Sequence, residues 1–112
     1  MDTAHFIIDV IAGKLGSDIL LLDISDITLI ADYFVIATAE SIRQIKAMAE
    51  DIQQQVQNEL GKKPLAVEGT PESGWMLLDY GSVIVHLFSE AQRNRYQLER
   101  LWSDARTVVR IA

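Results

Sequence analysis

The sequence predicts a mixed α/β (α+β) domain, a five-stranded sheet with flanking helices in the order helix, strand, strand, helix, strand, strand, strand, helix. Three observations carry this. Apolar residues recur at helical spacing in three places, short aromatic and β-branched runs lie between them, and turn residues punctuate the runs. The 112 residues, 49% of them apolar, suit one domain over residues 1–112 that folds without covalent staples.

The first element is a helix over about Thr3 to Leu15. Phe6, Ile7, Val10, Ile11 and Leu15 form its apolar stripe, Asp2 or Thr3 can cap it, and Gly16 is placed to end it. Ile19 to Ile24 is the first strand, bracketed by Asp18 and Ser25-Asp26. Asp32 to Thr38 is an almost continuous apolar run and predicts a buried strand. Ser41 opens the strongest helix. Gln44 stands three residues later, the spacing of a capping box, and Ile42, Ile45, Met48, Ala49, Ile52, Val56 and Leu60 make the buried stripe before Gly61.

Leu65 to Glu68 predicts a short strand. Trp75–Asp79 and Ser82–Phe88 predict a hairpin about a Tyr80-Gly81 turn. Ser89 with Gln92 repeats the capping spacing and starts a closing helix, with Leu98, Leu101, Trp102 and Ala105 on one face; the tail 103–112 is left unassigned. The helix between the second and third strands predicts a right-handed parallel crossover, and the tight turns predict antiparallel pairs.

Composition narrows the function. There is no cysteine, so disulfides, thiolate metal sites and cysteine nucleophiles are excluded, and a reducing compartment is expected. The formal charge of −6 disfavours direct nucleic-acid binding, which rests on cations replacing counterions. It favours encounter with a basic protein. No segment has the length of a membrane span, and the start of the chain lacks the look of a signal or transit peptide, so a cytoplasmic location is expected.

Side-chain alternation gives the hairpin two unlike faces. With a Tyr80-Gly81 loop, Leu77 lies opposite Ile84 and Trp75 opposite His86, on one face with Asp79, Ser82 and Phe88. Met76, Leu78, Val83, Val85 and Leu87 make the other, uniformly aliphatic face, which belongs to the core. The mixed first face is either a partner surface or a second core layer with His86 hydrogen-bonded inside.

Catalytic constellations are thin. Asp23, Asp26 and Asp32 cluster near strand ends, where carboxylates hold Mg²⁺ in phosphoryl-transfer enzymes, but such acids are more often turn residues and caps. Gly16-Ser17 lies between a helix and a strand, not at a helix start as in nucleotidyltransferases. Asp79, Ser82 and His86 are too spread along the hairpin for a relay. There is no phosphate-binding glycine loop, and His5 and His86 lack a zinc pattern. No cofactor or metal is expected. Arg93, Arg95, Arg100, Arg106 and Arg110, interleaved with Glu90, Glu99 and Asp104, read as a solvated, salt-bridged face. Arg106 and Arg110 are the place where RNA contact has some footing, against the acidic whole.

Asp32 to Thr38 followed by Ser41-Ile42-Arg43-Gln44-Ile45, then Glu68-Gly69 with the run Trp75 to Phe88, then Arg93, Tyr96, Leu98-Glu99 and Leu101-Trp102, resemble three signatures of the ribosomal silencing factor (RsfS, or Iojap-like) family. The resemblance runs from about Phe6 to Trp102. It implies a nucleotidyltransferase-like fold without a working transferase site. It also implies binding to ribosomal protein fourteen of the large subunit, a block on subunit joining, damped translation in scarcity, and often a homodimer. The chain departs from the family's usual pattern at Ser82 (usually Asp), Ala39 (usually Gly) and Arg95 (usually apolar). Ser82 removes one carboxylate that could face the partner.

The expected docking face is therefore Trp75, Leu77, Asp79, Ile84 and His86, with Tyr80 at its rim and Arg43 and Glu68 as secondary candidates. The alternative is a diverged Mg²⁺-dependent nucleotidyltransferase-type enzyme using Asp23, Asp26 or Asp32. A third reading is dimerisation through the hairpin face.

Overall fold

The structure is a computed structural model and describes residues 2–111; Met1 and Ala112, the ends of the expected domain and tail, lie outside them. Asp2 caps the first helix, α1 (Thr3–Gly13), by accepting a hydrogen bond from the His5 N–H at 2.8 Å. β1 (Ser17–Asp23) and β2 (Tyr33–Ala39) follow, then α2 (Ile42–Leu60). The Ser41 hydroxyl accepts from the Gln44 N–H at 3.0 Å, and the Gln44 amide bonds back to the Glu40 N–H and on to the carbonyls of Lys14 and Leu15. One side chain thus caps α2 and pins the α1–β1 connection to it. Gly61, at φ 66°, closes α2 in the left-handed conformation.

β3 (Ala66–Thr70), a 3₁₀ turn (Pro71–Ser73), β4 (Trp75–Asp79) and β5 (Val83–Ser89) come next. α3 (Glu90–Tyr96), α4 (Leu98–Leu101) and β6 (Arg106–Ile111) complete the chain. The strands form one six-stranded sheet in the order β3-β4-β5-β2-β1-β6, with β2 and β5 parallel and the other neighbours antiparallel.

The mixed α+β class stands, with differences that have physical causes. The sheet has six strands, not five: Arg106–Ile111, left unassigned from sequence, pairs with β1, placing Leu20 opposite Arg110. The closing helix is two helices, because Gln97 adopts φ 49° and breaks the run. Leu101, expected on its apolar face, is consequently exposed. The chain does cross over through α2, yet β3 lands at the sheet edge, with two strands between it and β2. It is β5 that returns to pair with β2.

The hairpin turn is Gly81-Ser82, one residue later than expected. The Tyr80 N–H donates to the Val83 carbonyl at 2.9 Å, and Gly81 takes φ 86°. Trp75 therefore faces Phe88, Leu77 faces His86 and Asp79 faces Ile84. This is a slip of two residues on the expected pairing, so each strand side chain keeps its expected face, while Ser82, expected opposite Asp79 on the mixed face, lies in the turn instead.

α1 and α2 cover one side of the sheet. Ile7, Ile11, Ile45, Met48 and Ile52 pack there on Leu21, Val35, Leu78, Val85 and Leu87. The other side carries a smaller core of Leu20, Leu22, Ile24, Ala31, Phe34, Ile36, Ile84 and Phe88, which Leu98, Trp102 and Ala105 partly cover.

Candidate protein-binding face

The second side of the sheet is built in cross-strand rows. One runs Glu68, Leu77, His86, Ile36, Leu20, Arg110, and another runs Thr70, Trp75, Phe88, Thr38. At the β2–β5 centre the rows are roofed: Trp102 meets Phe34 edge-on with centroids 5.1 Å apart. At the β3–β4 edge they are not. Trp75, Leu77 and Asp79 are half-buried and Glu68 is exposed.

Next to them, opposite Leu77 on β5, lies His86, only 8% exposed. It stacks on Phe88 with rings 5.9 Å apart, takes the Phe34 edge at 5.2 Å, and its Nδ1 accepts a long hydrogen bond of 3.4 Å from the Trp75 indole N–H. Burial among aromatic rings pushes its pKa down to about 4, so the ring is neutral at physiological pH. A pocket of about 180 Å³ opens between Trp75, His86, Phe88, Tyr96 and Leu98. Gly69 permits this arrangement at the edge, because a Cβ there would lie 2.3 Å from the Trp75 carbonyl oxygen.

The structure thus brings Trp75, Leu77, Asp79 and Glu68 together and sets Ile84 and His86 beside them on β5, both buried. For those two residues the core-layer reading of the face applies. Asp79 is already engaged, its carboxylate accepting from the Gly81 N–H at 2.8 Å. Tyr80 is not at the rim of this face. It follows Asp79 by one residue, so alternation sends its ring to the helix-covered side. Its hydroxyl is buried with no hydrogen-bond partner among the described residues, and burial pushes the phenol up to about 12. Arg43 is likewise apart, exposed on α2 behind the sheet. Tyr96 and Leu98 were missed as walls of the pocket. Only the turn at Gln97 places them there, and glutamine carries little signal for a left-handed residue.

The acids considered for catalysis are dispersed in role. Asp23 accepts from the Ser25 hydroxyl at 2.6 Å and N–H at 3.0 Å and pairs with Arg106 at 2.9 Å. Those partners, Ser25 first, hold its pKa down at about 2. Among the described residues no three His, Asp or Glu side chains group closely enough to hold a metal ion, and no helix is long and apolar enough to cross a membrane.

The family model described as "Ribosomal silencing factor during starvation" matches residues 1–111. The chain belongs to the ribosomal silencing factor family. The Bacillus subtilis ribosomal silencing factor RsfS is 44% identical over 92 residues, which cover 82% of this chain and 77% of that protein. A mouse protein named for mitochondrial assembly of the ribosomal large subunit is 29% identical over 106 residues, covering 89% of this chain and 46% of its own. A crystal structure from Chromobacterium violaceum superposes with a TM-score of 0.85 at 33% identity, covering 92% of this chain and 88% of the other. The bacterial relatives are named ribosomal silencing factors, and the fold seen here is the family's.

Proposed function

We propose that this silencing factor works by docking, without chemistry, on ribosomal protein fourteen of the large subunit. There it obstructs joining of the small subunit and represses translation in the cytoplasm. The observation that carries the reading is the unroofed β3–β4 edge. Trp75 and Leu77 offer an aromatic and an aliphatic anchor, and Glu68 and Asp79 beside them supply negative charge suited to a basic protein. The −6 charge of the chain favours the same encounter over distance. His86, opposite Leu77 on β5 and bonded to the Trp75 indole, helps hold the two anchors in place.

The test is co-sedimentation of the protein with isolated large subunits, wild type beside Trp75→Ala. Loss of one aromatic anchor costs about 2 kcal/mol, or roughly thirtyfold in affinity. Wild type should pellet with the large subunit and the variant should stay in the supernatant. If both pellet equally, the face is elsewhere. If neither does, the large subunit is not the target. If Trp75→Ala instead converts a dimer to monomers, the face serves a second copy of the chain.

A further inference from the structure

Charge is not spread evenly along this chain. Residues 90–111 carry five arginines against three acids (Glu90, Glu99, Asp104), a net of +2, while residues 1–89 carry thirteen acids against five bases, a net of −8. The acidity that argues against nucleic acid belongs to the first part alone. The fold then brings three of the five arginines to one groove. Asp18, Arg93, Asn94, Gln97, Glu99, Arg100 and Arg110 line a polar groove of about 300 Å³ between α3, α4, β6 and the start of β1.

The groove's charges are already partly sorted. Arg93 is held back against the sheet, only 12% exposed, with its Nε on Glu99 at 2.7 Å and its Nη1 on the Asp18 carbonyl and the Thr38 hydroxyl. That interaction consumes Glu99, and Asp18 remains as an exposed acid in the groove. Arg100 and Arg110 are exposed and form no salt bridge among the described residues. Arg100 meets only the Gln97 side chain, at 3.1 Å. Two free guanidinium groups thus flank a concave site that also offers the neutral side chains of Asn94 and Gln97.

We propose that this groove binds the phosphodiester backbone of RNA. All five cations of the segment are arginine, whose planar fork matches phosphate bidentately, whereas lysine is confined to the earlier residues. Neutral amides beside arginine suit phosphate and sugar contacts that position without reading sequence. The choice of RNA over other polyanions rests on the docking reading above, since a ribosomal surface is largely RNA. The groove and the Trp75 face lie on the same side of the sheet, at its two ends, so one protein can be gripped there and RNA beside it.

The experiment follows the Arg Nε–H resonances of the full chain by NMR while a short RNA hairpin is added at 50 mM and 200 mM salt. Arg100 and Arg110 should shift saturably. With about two phosphates engaged, affinity should fall about tenfold between the two salt concentrations. The pair Arg100→Gln and Arg110→Gln should lose at least about tenfold at the lower salt with its backbone spectrum unchanged. A pair with Lys at both positions should keep the salt dependence. Three outcomes would overturn the assignment. The arginine resonances stay still with RNA; or the Gln pair binds RNA as wild type does; or poly-glutamate at equal charge competes as well as RNA, which assigns the groove to an acidic protein. Free RNA is the probe, so the result stands or falls whatever Trp75→Ala does on large subunits.

Discussion

The two sides of the sheet are made from the same strands yet are finished differently. On one, the aliphatic residues of β2, β4 and β5 meet two long helices and are sealed, with Ile7, Ile11, Ile45, Met48 and Ile52 inaccessible to solvent. On the other, the residues that alternate with them mix aliphatic, aromatic and polar side chains, and their cover is a broken helix pair that stops short of the β3–β4 edge. The first side stabilises the domain and the second displays part of it. Alternation along a strand lets one hairpin do both.

The comparison breaks first at the sealed side. Ile52 is fully buried between α2 and the sheet. Ile52→Ala removes three carbons and leaves a cavity, so chemical denaturation should show a loss of about 3–4 kcal/mol. A loss below about 1 kcal/mol would mean that this side is as loosely finished as the other.

The cover of the second side depends on one side chain. Arg93 ties α3 and α4 to β1 and β2 through three charge-assisted contacts. Arg93→Ala should cost about 2 kcal/mol. It should also raise amide exchange in Leu98–Leu101 well before it does so in α2. Uniform acceleration across both would show that the cover is not a separate unit.

His86 makes the second side sensitive to acid. Its folded pKa of about 4 lies below the ordinary 6.5, so the unfolded chain binds the extra proton first. Stability is whole above about pH 6.5 and is lost as pH falls toward 4. Between pH 7 and pH 5 the histidine accounts for about 2 kcal/mol, a loss that His86→Phe should abolish. Protonation of Nδ1 in the folded protein, near pH 4, also removes the acceptor of the Trp75 indole bond, so Trp75 fluorescence should change around pH 4 in wild type alone.

These residues also show what the sequence disclosed. Strand alternation in Trp75–Asp79 and Val83–Ser89 assigns every side chain to its observed face, because the turn was misplaced by one residue and the pairing slipped by two, which preserves parity. The capping residues Ser41 and Ser89 do cap α2 and α3. What stayed hidden was non-local or weakly coded. β6 is a β-branched run, Thr107-Val108-Val109, whose strand character depends on β1 being free to receive it. The break at Gln97 has no glycine or proline to announce it. Sequence put Ile84 and His86 on the right face, but their burial depends on the cover that this break positions.

The finest test of the comparison is Leu77→Ala. Leu77 lies between Glu68 and His86 on the open part of the second side and is half-buried, so part of its side chain stays in contact with solvent. Truncation should cost less than about 1 kcal/mol of stability, far below the Ile52 value. On the docking reading the same change should weaken co-sedimentation with large subunits by roughly tenfold, because an anchor half-open in the free protein is buried only by its partner. A small stability change with a large binding change marks a displayed residue. A stability loss near that of Ile52→Ala would place Leu77 in the core and leave Trp75 as the single anchor of the edge.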